Sequence, residues 1–183
     1  MPNAYRFSVA PMLDYTDRHF RVLMRQVSRH SLLYSEMVVA RALDHLMREG
    51  PPQGDLERQQ RLDRLIGFDA LEKPLVLQVG GETPQELAAA ARLAADWGYD
   101  EVNLNVGCPS PKASQGHFGA CLMARPERVA ECVAAMATSS GLPVTVKHRI
   151  GIDHQDGFAE LLQFVDTVAA AGAGRFAVHA RKA

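Results

Sequence analysis

The residues of this chain that could do chemistry are few, and their spacing is regular. Gln78, Asn103, Asn105, Lys147, Arg149, His179 and Arg181 each stand at or just beyond the end of a short apolar run, as do Pro11, Met12, Glu36 and Met37. Side chains of an extended segment alternate faces, which puts Asn103 and Asn105 on one side and Val102, Leu104 and Val106 on the other. Lys147 pairs likewise with Arg149, and His179 with Arg181. Polar groups collected at a half-buried mouth need partners, and a planar heterocycle with carbonyls and ring nitrogens would supply them. Taken singly, a buried asparagine is more often a clamp on its own backbone, and a lone strand histidine is usually a satisfied core residue. Lys147 is the sharper signal. Within VTVKHR an unpaired ammonium is costly to bury, so an anionic or carbonyl partner is expected.

The most informative segment is 106–124, VGCPSPKASQGHFGACLMA. Connections of this length without regular structure are uncommon and usually functional. Gly107, Gly116 and Gly119 permit close backbone approach, and Pro109 and Pro111 stiffen the start, holding Cys108 just past a strand end. That is where a working thiol would sit. Cys121 and Cys132, in ACLM and in a helical run, read as small apolar fillers. An ordinary thiol is mostly protonated at neutral pH and can donate a proton as well as attack, so acid and nucleophile both stay open. Three cysteines with no CxxC pair favour neither a disulfide framework nor a metal cluster.

Short strand-like runs alternate with amphipathic stretches and would position these groups. Strands are expected over 6–10, 32–37, 75–79, 101–105, 143–148 and 175–179, and helices over 17–29, 38–48, 84–97, 126–139 and 157–171, two of which open on proline. Strand–helix alternation implies a parallel sheet. In a doubly wound sheet binding residues cluster at the switch point, whereas here six successive strand ends carry polar groups, as when all strands converge on one mouth. The reading is an α/β fold, a (β/α)8 TIM barrel truncated after about six strands; the alternative is a complete smaller sheet. Segment 48–73 (beginning REGPPQGDLERQQRLDRL) interrupts the alternation, has room for a short helix and should lie away from the mouth. The chain has 183 residues, 47% hydrophobic and 22% charged, with 20 Lys plus Arg against 21 Asp plus Glu and a net charge of −1. That excludes a disordered chain and a globally basic nucleic-acid binder. No run reaches the ~18 apolar residues of a membrane span, and the start MPNAYRFSVAP lacks a secretory pattern, so a cytoplasmic protein is expected.

Taken together, FSVAPMLDYTDRHFR, LLYSEMV, LVLQVGG, GYDEVNLNVGCPSPKASQGHFGACLMA, PVTVKHRIGID and VHARKA resemble the flavin-dependent tRNA-dihydrouridine synthases, most closely the A-type subfamily. NLNVGCPS followed by GACLM is the specific part; APMLD and LQVGG alone would be less so. The resemblance covers the chain almost end to end except 48–73. It implies an FMN-bearing catalytic barrel, residues 1–183 forming its incomplete first part, with the last strands and a helical tRNA-gripping domain absent.

The resemblance further implies that Pro11, Met12 and Leu13 meet the flavin, that Gln78 and Lys147 contact its ring or ribityl arm, and that His179 approaches its phosphate. Cys108 would be the general acid, Asn105 would hold the target uracil or its nucleotide, and Arg149 and Arg181 would touch RNA or cofactor. The implied reaction is NADPH-driven reduction of a D-loop uridine, around positions 20 and 20a, after its extrusion into the mouth. Lys112, Lys147, Arg149 and Arg181 would attract phosphates locally. Metal and membrane partners are not expected. The chain alone is expected to bind FMN weakly or not at all and to lack synthase activity. The competing readings are another FMN barrel oxidoreductase acting on a small molecule, and a noncatalytic RNA-binding remnant.

Overall fold

The computed structural model describes residues 7–49 and 55–183. Five strands, β1 (Leu33–Val39), β2 (Leu75–Gly80), β3 (Glu101–Val106), β4 (Val144–Arg149) and β5 (Arg175–His179), pair in parallel in sequence order. An unbroken order β1-β2-β3-β4-β5, with no reversal, is the winding of a β/α barrel and not of a doubly wound sheet. The helices α1 (Arg18–Val27), α2 (Ala40–Glu49), α3 (Asp55–Ile66), α4 (Pro84–Trp97), α5 (Pro111–Gln115), α6 (Pro126–Ser140) and α7 (Phe158–Ala170) complete the alternation. Proline opens α4 and α6, and Gly98 and Gly141 close them in left-handed conformation, the arrangement expected for sharply bounded helices. None of the helices among the described residues is long and apolar enough to cross a membrane.

Three expectations need correction. The strand expected over 6–10 is reduced to a single parallel bridge, Ser8 to Leu32, with Val9 N–H donating to the Leu32 carbonyl at 2.9 Å; Arg6 lies outside the described residues. The segment 48–73 carries more than a short helix: α3 runs for 12 residues and a 3-10 turn follows at Ala70–Glu72, while 50–54 lie outside the described residues. Buried Arg21 of α1 ties this turn down through Glu72 at 2.5 Å, a long-range ion pair that strand–helix periodicity does not register. The stretch 106–124 is not irregular throughout, since it contains α5 and a 3-10 turn at Gly119–Ala124.

Alternation along the strands divides the sheet's two faces. Leu75, Leu77, Val79, Val102, Leu104, Val106, Val144 and Val146 point toward the helices and are fully or almost fully buried with Leu87, Ala90, Ala91, Val129 and Val133. Packing these β-branched and leucine side chains against small alanines of α4 brings helix and sheet close. His148 is the polar exception on this face. Its Nδ1–H donates to the Arg149 carbonyl at 2.7 Å, its ring lies between Phe164 and Phe176, and burial holds it below the usual histidine range. The opposite face carries Val76 and Gln78 of β2, Glu101, Asn103 and Asn105 of β3, Thr145, Lys147 and Arg149 of β4, and Arg175 and His179 of β5, in one set of registers.

Candidate functional site

The strand carboxyl ends open on a cavity of about 350 Å³ lined by Pro11, Leu13, Met37, Val39, Gln78, Asn105, Gly107, Cys108, Pro109, Ser110, Ala113, Phe118, Lys147, Arg149 and His179. Every strand-like segment of the chain thus contributes to one mouth, and no residue of 55–73 reaches it. A volume of this size suits a small heterocyclic ligand or part of a larger one.

A bulge in β1 shapes one wall. Tyr34 pairs with Val76 and Met37 with Gln78, three steps on β1 against two on β2, and the Gln78 N–H is satisfied by the Ser35 hydroxyl at 3.0 Å. The extra residue reverses the alternation, so Met37 and Val39, not Glu36 and Val38, reach the cavity. Glu36 has a different role: its carboxylate accepts the Asp14 N–H at 2.6 Å, where Asp14 turns at φ 64°, and this anchors the segment bearing Pro11 and Leu13. Met12 does not line the cavity. Its backbone N–H donates to the Thr16 hydroxyl at 3.0 Å and its side chain is exposed.

The side chain of Asn105 fixes the start of the cysteine loop. Its Oδ1 accepts the N–H groups of both Gly107 and Cys108 at 3.0 Å, and its Nδ2 donates to Gln78 Oε1 at 3.0 Å. An amide oxygen with two bonds is full, so Asn105 has one N–H left for a ligand. Gln78 donates from Nε2 to Asn103 at 2.8 Å and keeps one N–H and one lone pair. Asn105 is therefore the backbone clamp that its sequence position allowed, with a single donor to spare.

Farther along the loop, the Cys108 carbonyl accepts the Ala120 N–H at 2.9 Å, and the Cys108 Sγ lies 3.4 Å from Ser110 Oγ. Gly119 sits at φ 80°, where a Cβ would lie 2.5 Å from the Cys108 oxygen. Gly119→Ala is expected to cost about 1–3 kcal/mol and to displace the thiol; denaturant unfolding and the alkylation rate of Cys108 measure both, and an unchanged rate in a folded variant contradicts the second. The other thiols are internal: Cys132 is buried, which pushes it up to about 12, and Cys121 donates to the Phe118 carbonyl at 3.3 Å and is raised by burial.

Positive charge gathers in the same cavity. Lys147 is half-buried, lines the cavity and has no hydrogen-bond or ion-pair partner among the described residues; burial, then the nearby Arg149 cation, holds it below the usual lysine range. Arg149 is partly spoken for, its Nε donating to the Gly107 carbonyl at 2.7 Å and an Nη to the Lys182 carbonyl at 3.2 Å. His179 is exposed and is lowered by desolvation and then by Arg149, Lys147 and Arg181. Arg181 is exposed beyond β5 and does not line the cavity; the side chain of Lys112 is not among those described.

A cavity uniting a thiol proton, a cation without a partner among the described residues and half-satisfied amides at the mouth of a β/α winding narrows the family, and comparison with known sequences decides it. The dihydrouridine synthase (Dus) family model matches residues 8–183. This chain belongs to the dihydrouridine synthase family. It is 56% identical over 176 residues to a tRNA-dihydrouridine(20/20a) synthase of Synechocystis, covering 96% of this chain and 48% of that protein. Proteins of the same name from Shewanella oneidensis and Pseudomonas aeruginosa are each 54% identical, covering 97% and 96% of this chain and 48% and 49% of theirs. The chain spans about half the length of these curated relatives.

Within this dihydrouridine synthase family member, the apolar walls of the cavity are what sequence reasoning misses. Met37 stands out as a strand end, but Val39, Ala113 and Phe118 carry no signal of their own, because apolar residues near a loop look alike whether they face core or cavity. The anchoring role of Glu36 is equally invisible, since its partner is a backbone N–H 22 residues earlier.

Proposed function

We propose that this chain is the first part of the catalytic barrel of a cytoplasmic tRNA-dihydrouridine synthase acting at D-loop positions 20 and 20a, with FMN as cofactor and NADPH as reductant. The observation that carries this reading is the sharing of one cavity by the Cys108 thiol and the Lys147 ammonium, which has no partner among the described residues. A half-buried cation in that state calls for an electron-rich ligand. The flavin ring system, with its carbonyls and ring nitrogens, matches that need and the remaining donor and acceptor of Gln78.

Gln78 and Lys147 would hold the ring and its side arm, Pro11 and Leu13 would pack against it, Met12 would only brace the turn between them through its Thr16 contacts, and His179 with the neighbouring cations would meet the phosphate. When bound and reduced, flavin chemistry provides a hydride to one carbon of the uracil 5,6 double bond. Cys108 would then release its thiol proton to the neighbouring carbon from the opposite face, leaving a thiolate that regains a proton from solvent. The spare N–H of Asn105 would donate to a uracil carbonyl and hold that carbon in reach of the sulfur. Both faces of the base must be free, so the uridine leaves its stack at a cost of a few kcal/mol. Arg149 at the rim, and Arg181 outside the cavity beyond β5, would receive the flanking phosphates.

The test is a chimera joining this chain to the second half of the Synechocystis relative. FMN is expected to copurify with it, and NADPH oxidation is expected to accompany loss of uridine at positions 20 and 20a of unmodified tRNA. A folded, yellow chimera that reduces small enones or dihydroorotate-type substrates but never tRNA overturns the substrate assignment. A folded chimera that binds tRNA but no flavin supports the noncatalytic remnant instead.

A further inference from the structure

Beneath the cavity, the inward face of the sheet is only partly filled by the branched apolar residues usual inside such barrels, Val76 with Leu32 and Tyr34 forming a small cluster at one side. It holds a continuous hydrogen-bonded chain of side chains. The Thr145 hydroxyl donates to Glu101 Oε1 at 2.6 Å, Asn103 Nδ2 to the Thr145 oxygen at 2.9 Å, Gln78 Nε2 to Asn103 Oδ1 at 2.8 Å, and Asn105 Nδ2 to Gln78 Oε1 at 3.0 Å. The chain ends where Asn105 Oδ1 receives the Gly107 and Cys108 amides. Glu101, Asn103, Gln78 and Thr145 are all at least nine-tenths buried.

Such a chain has a direction. A hydroxyl or a side-chain amide can serve either as donor or as acceptor toward a given neighbour, so the three amides and the hydroxyl would be free to turn together if nothing set them. Both ends of this chain are fixed. The backbone N–H groups of Gly107 and Cys108 only donate. At the other end the Glu101 carboxylate accepts from Arg175 at 2.6 Å on both oxygens and from the Thr145 hydroxyl; burial raises its pKa, and the Thr145 and Arg175 contacts oppose that rise. The two termini impose the same direction, and every internal amide adopts it.

We propose that Glu101 is a positioning residue that, from the floor of the barrel, sets which way Gln78 and Asn105 face and thereby holds the Cys108 loop in place. A glutamine at 101 weakens this anchor. With its oxygen kept on Thr145, its nitrogen faces the Arg175 group that already donates there, and with its nitrogen turned to Thr145 it opposes the direction that the Gly107 and Cys108 N–H groups impose from the other end. The consequence for catalysis rests on the function proposed above, whereas the positioning itself does not.

The test is amide hydrogen exchange on the full chain, read residue by residue by NMR without cofactor. The wild-type chain is expected to show slowed exchange at Gly107 and Cys108. Glu101→Gln and Thr145→Val are each expected to accelerate exchange at these two amides by at least about fivefold, the scale of one net hydrogen bond, relative to amides of α4. Thr145→Ser, which retains the hydroxyl, is expected to match wild type. If Glu101→Gln does not fold, the Thr145 pair decides. Unprotected Gly107 and Cys108 amides in wild type, equal damage by Thr145→Ser and Thr145→Val, or acceleration spread evenly over the chain overturns the proposal. Because none of these measurements needs flavin or tRNA, failure of the enzymatic assignment leaves the result standing, and the reverse.

Discussion

Cys108→Ala in the chimera is expected to leave FMN bound and reducible by NADPH while uridine reduction falls by about 10²–10⁴-fold, the usual share of a positioned general acid. The reason lies in where the three thiols sit. Cys121 and Cys132 give their S–H to the backbone carbonyls of Phe118 and Glu82, and burial raises both, so neither can pass a proton to a ligand in the cavity. Cys108 alone among them lines it, on a loop held by Asn105, Arg149 and the Ala120 N–H. Cys108→Ser should also be slow, because a hydroxyl is a far weaker acid than a thiol. The measurement is single-turnover reoxidation of the reduced flavin by tRNA; a rate within about threefold of wild type for the alanine variant, well short of the loss a general acid implies, would remove Cys108 from the reaction.

Lys147→Met is expected to move stability and binding in opposite directions. A half-buried ammonium without a partner among the described residues weakens the free fold, and an unbranched apolar side chain of similar length relieves that, for a gain of about 0.5–1 kcal/mol. The same change is expected to weaken FMN affinity about ten- to a hundredfold, as loss of a hydrogen bond to a charged donor does. The lowered value of Lys147 sets the sign of the pH dependence. Between that value and the ordinary 10.5 the unfolded chain binds more protons than the folded one, so wild-type stability gains a contribution as pH rises through this window. Below the window the penalty is present in full, and the methionine variant lacks the gain altogether. Denaturant midpoints at neutral and alkaline pH, with flavin fluorescence quenching for affinity, measure these outcomes; a destabilised variant with unaltered affinity would mean that Lys147 is a structural residue.

Much of the molecule is legible in the primary string. Strand–helix alternation, the prolines opening α4 and α6, and polar residues at successive strand ends are local properties. They imply a parallel winding, as the β1-to-β5 order bears out, with polar side chains gathered at one mouth. The period of two correctly groups Asn103 with Asn105 and Lys147 with Arg149, because in β3 and β4 the pleat runs without interruption. In β1 it does not: one added residue, held by a hydroxyl to the neighbouring strand, exchanges the faces of Glu36 and Met37. Residues 6–10 have the composition of a strand, but the described part, 7–10, has one bridge. Segment 48–73 looks looser than it is, because the turn after its helix is secured by an ion pair to α1.

Residue order alone dictates the alternation of elements and the set of groups able to react, since both depend on neighbours a few positions apart. Folding in space settles what those groups are free to do. Asn105 has one donor left, Arg149 braces a carbonyl, Arg181 stands aside, and Lys147 remains without a counterpart among the described residues. The physical reason is that hydrogen-bonding capacity is consumed by partners such as Gln78 and Asn105, which are 27 residues apart, and Thr145 and Glu101, which are 44 apart. No local pattern encodes which lone pairs such distant contacts leave over.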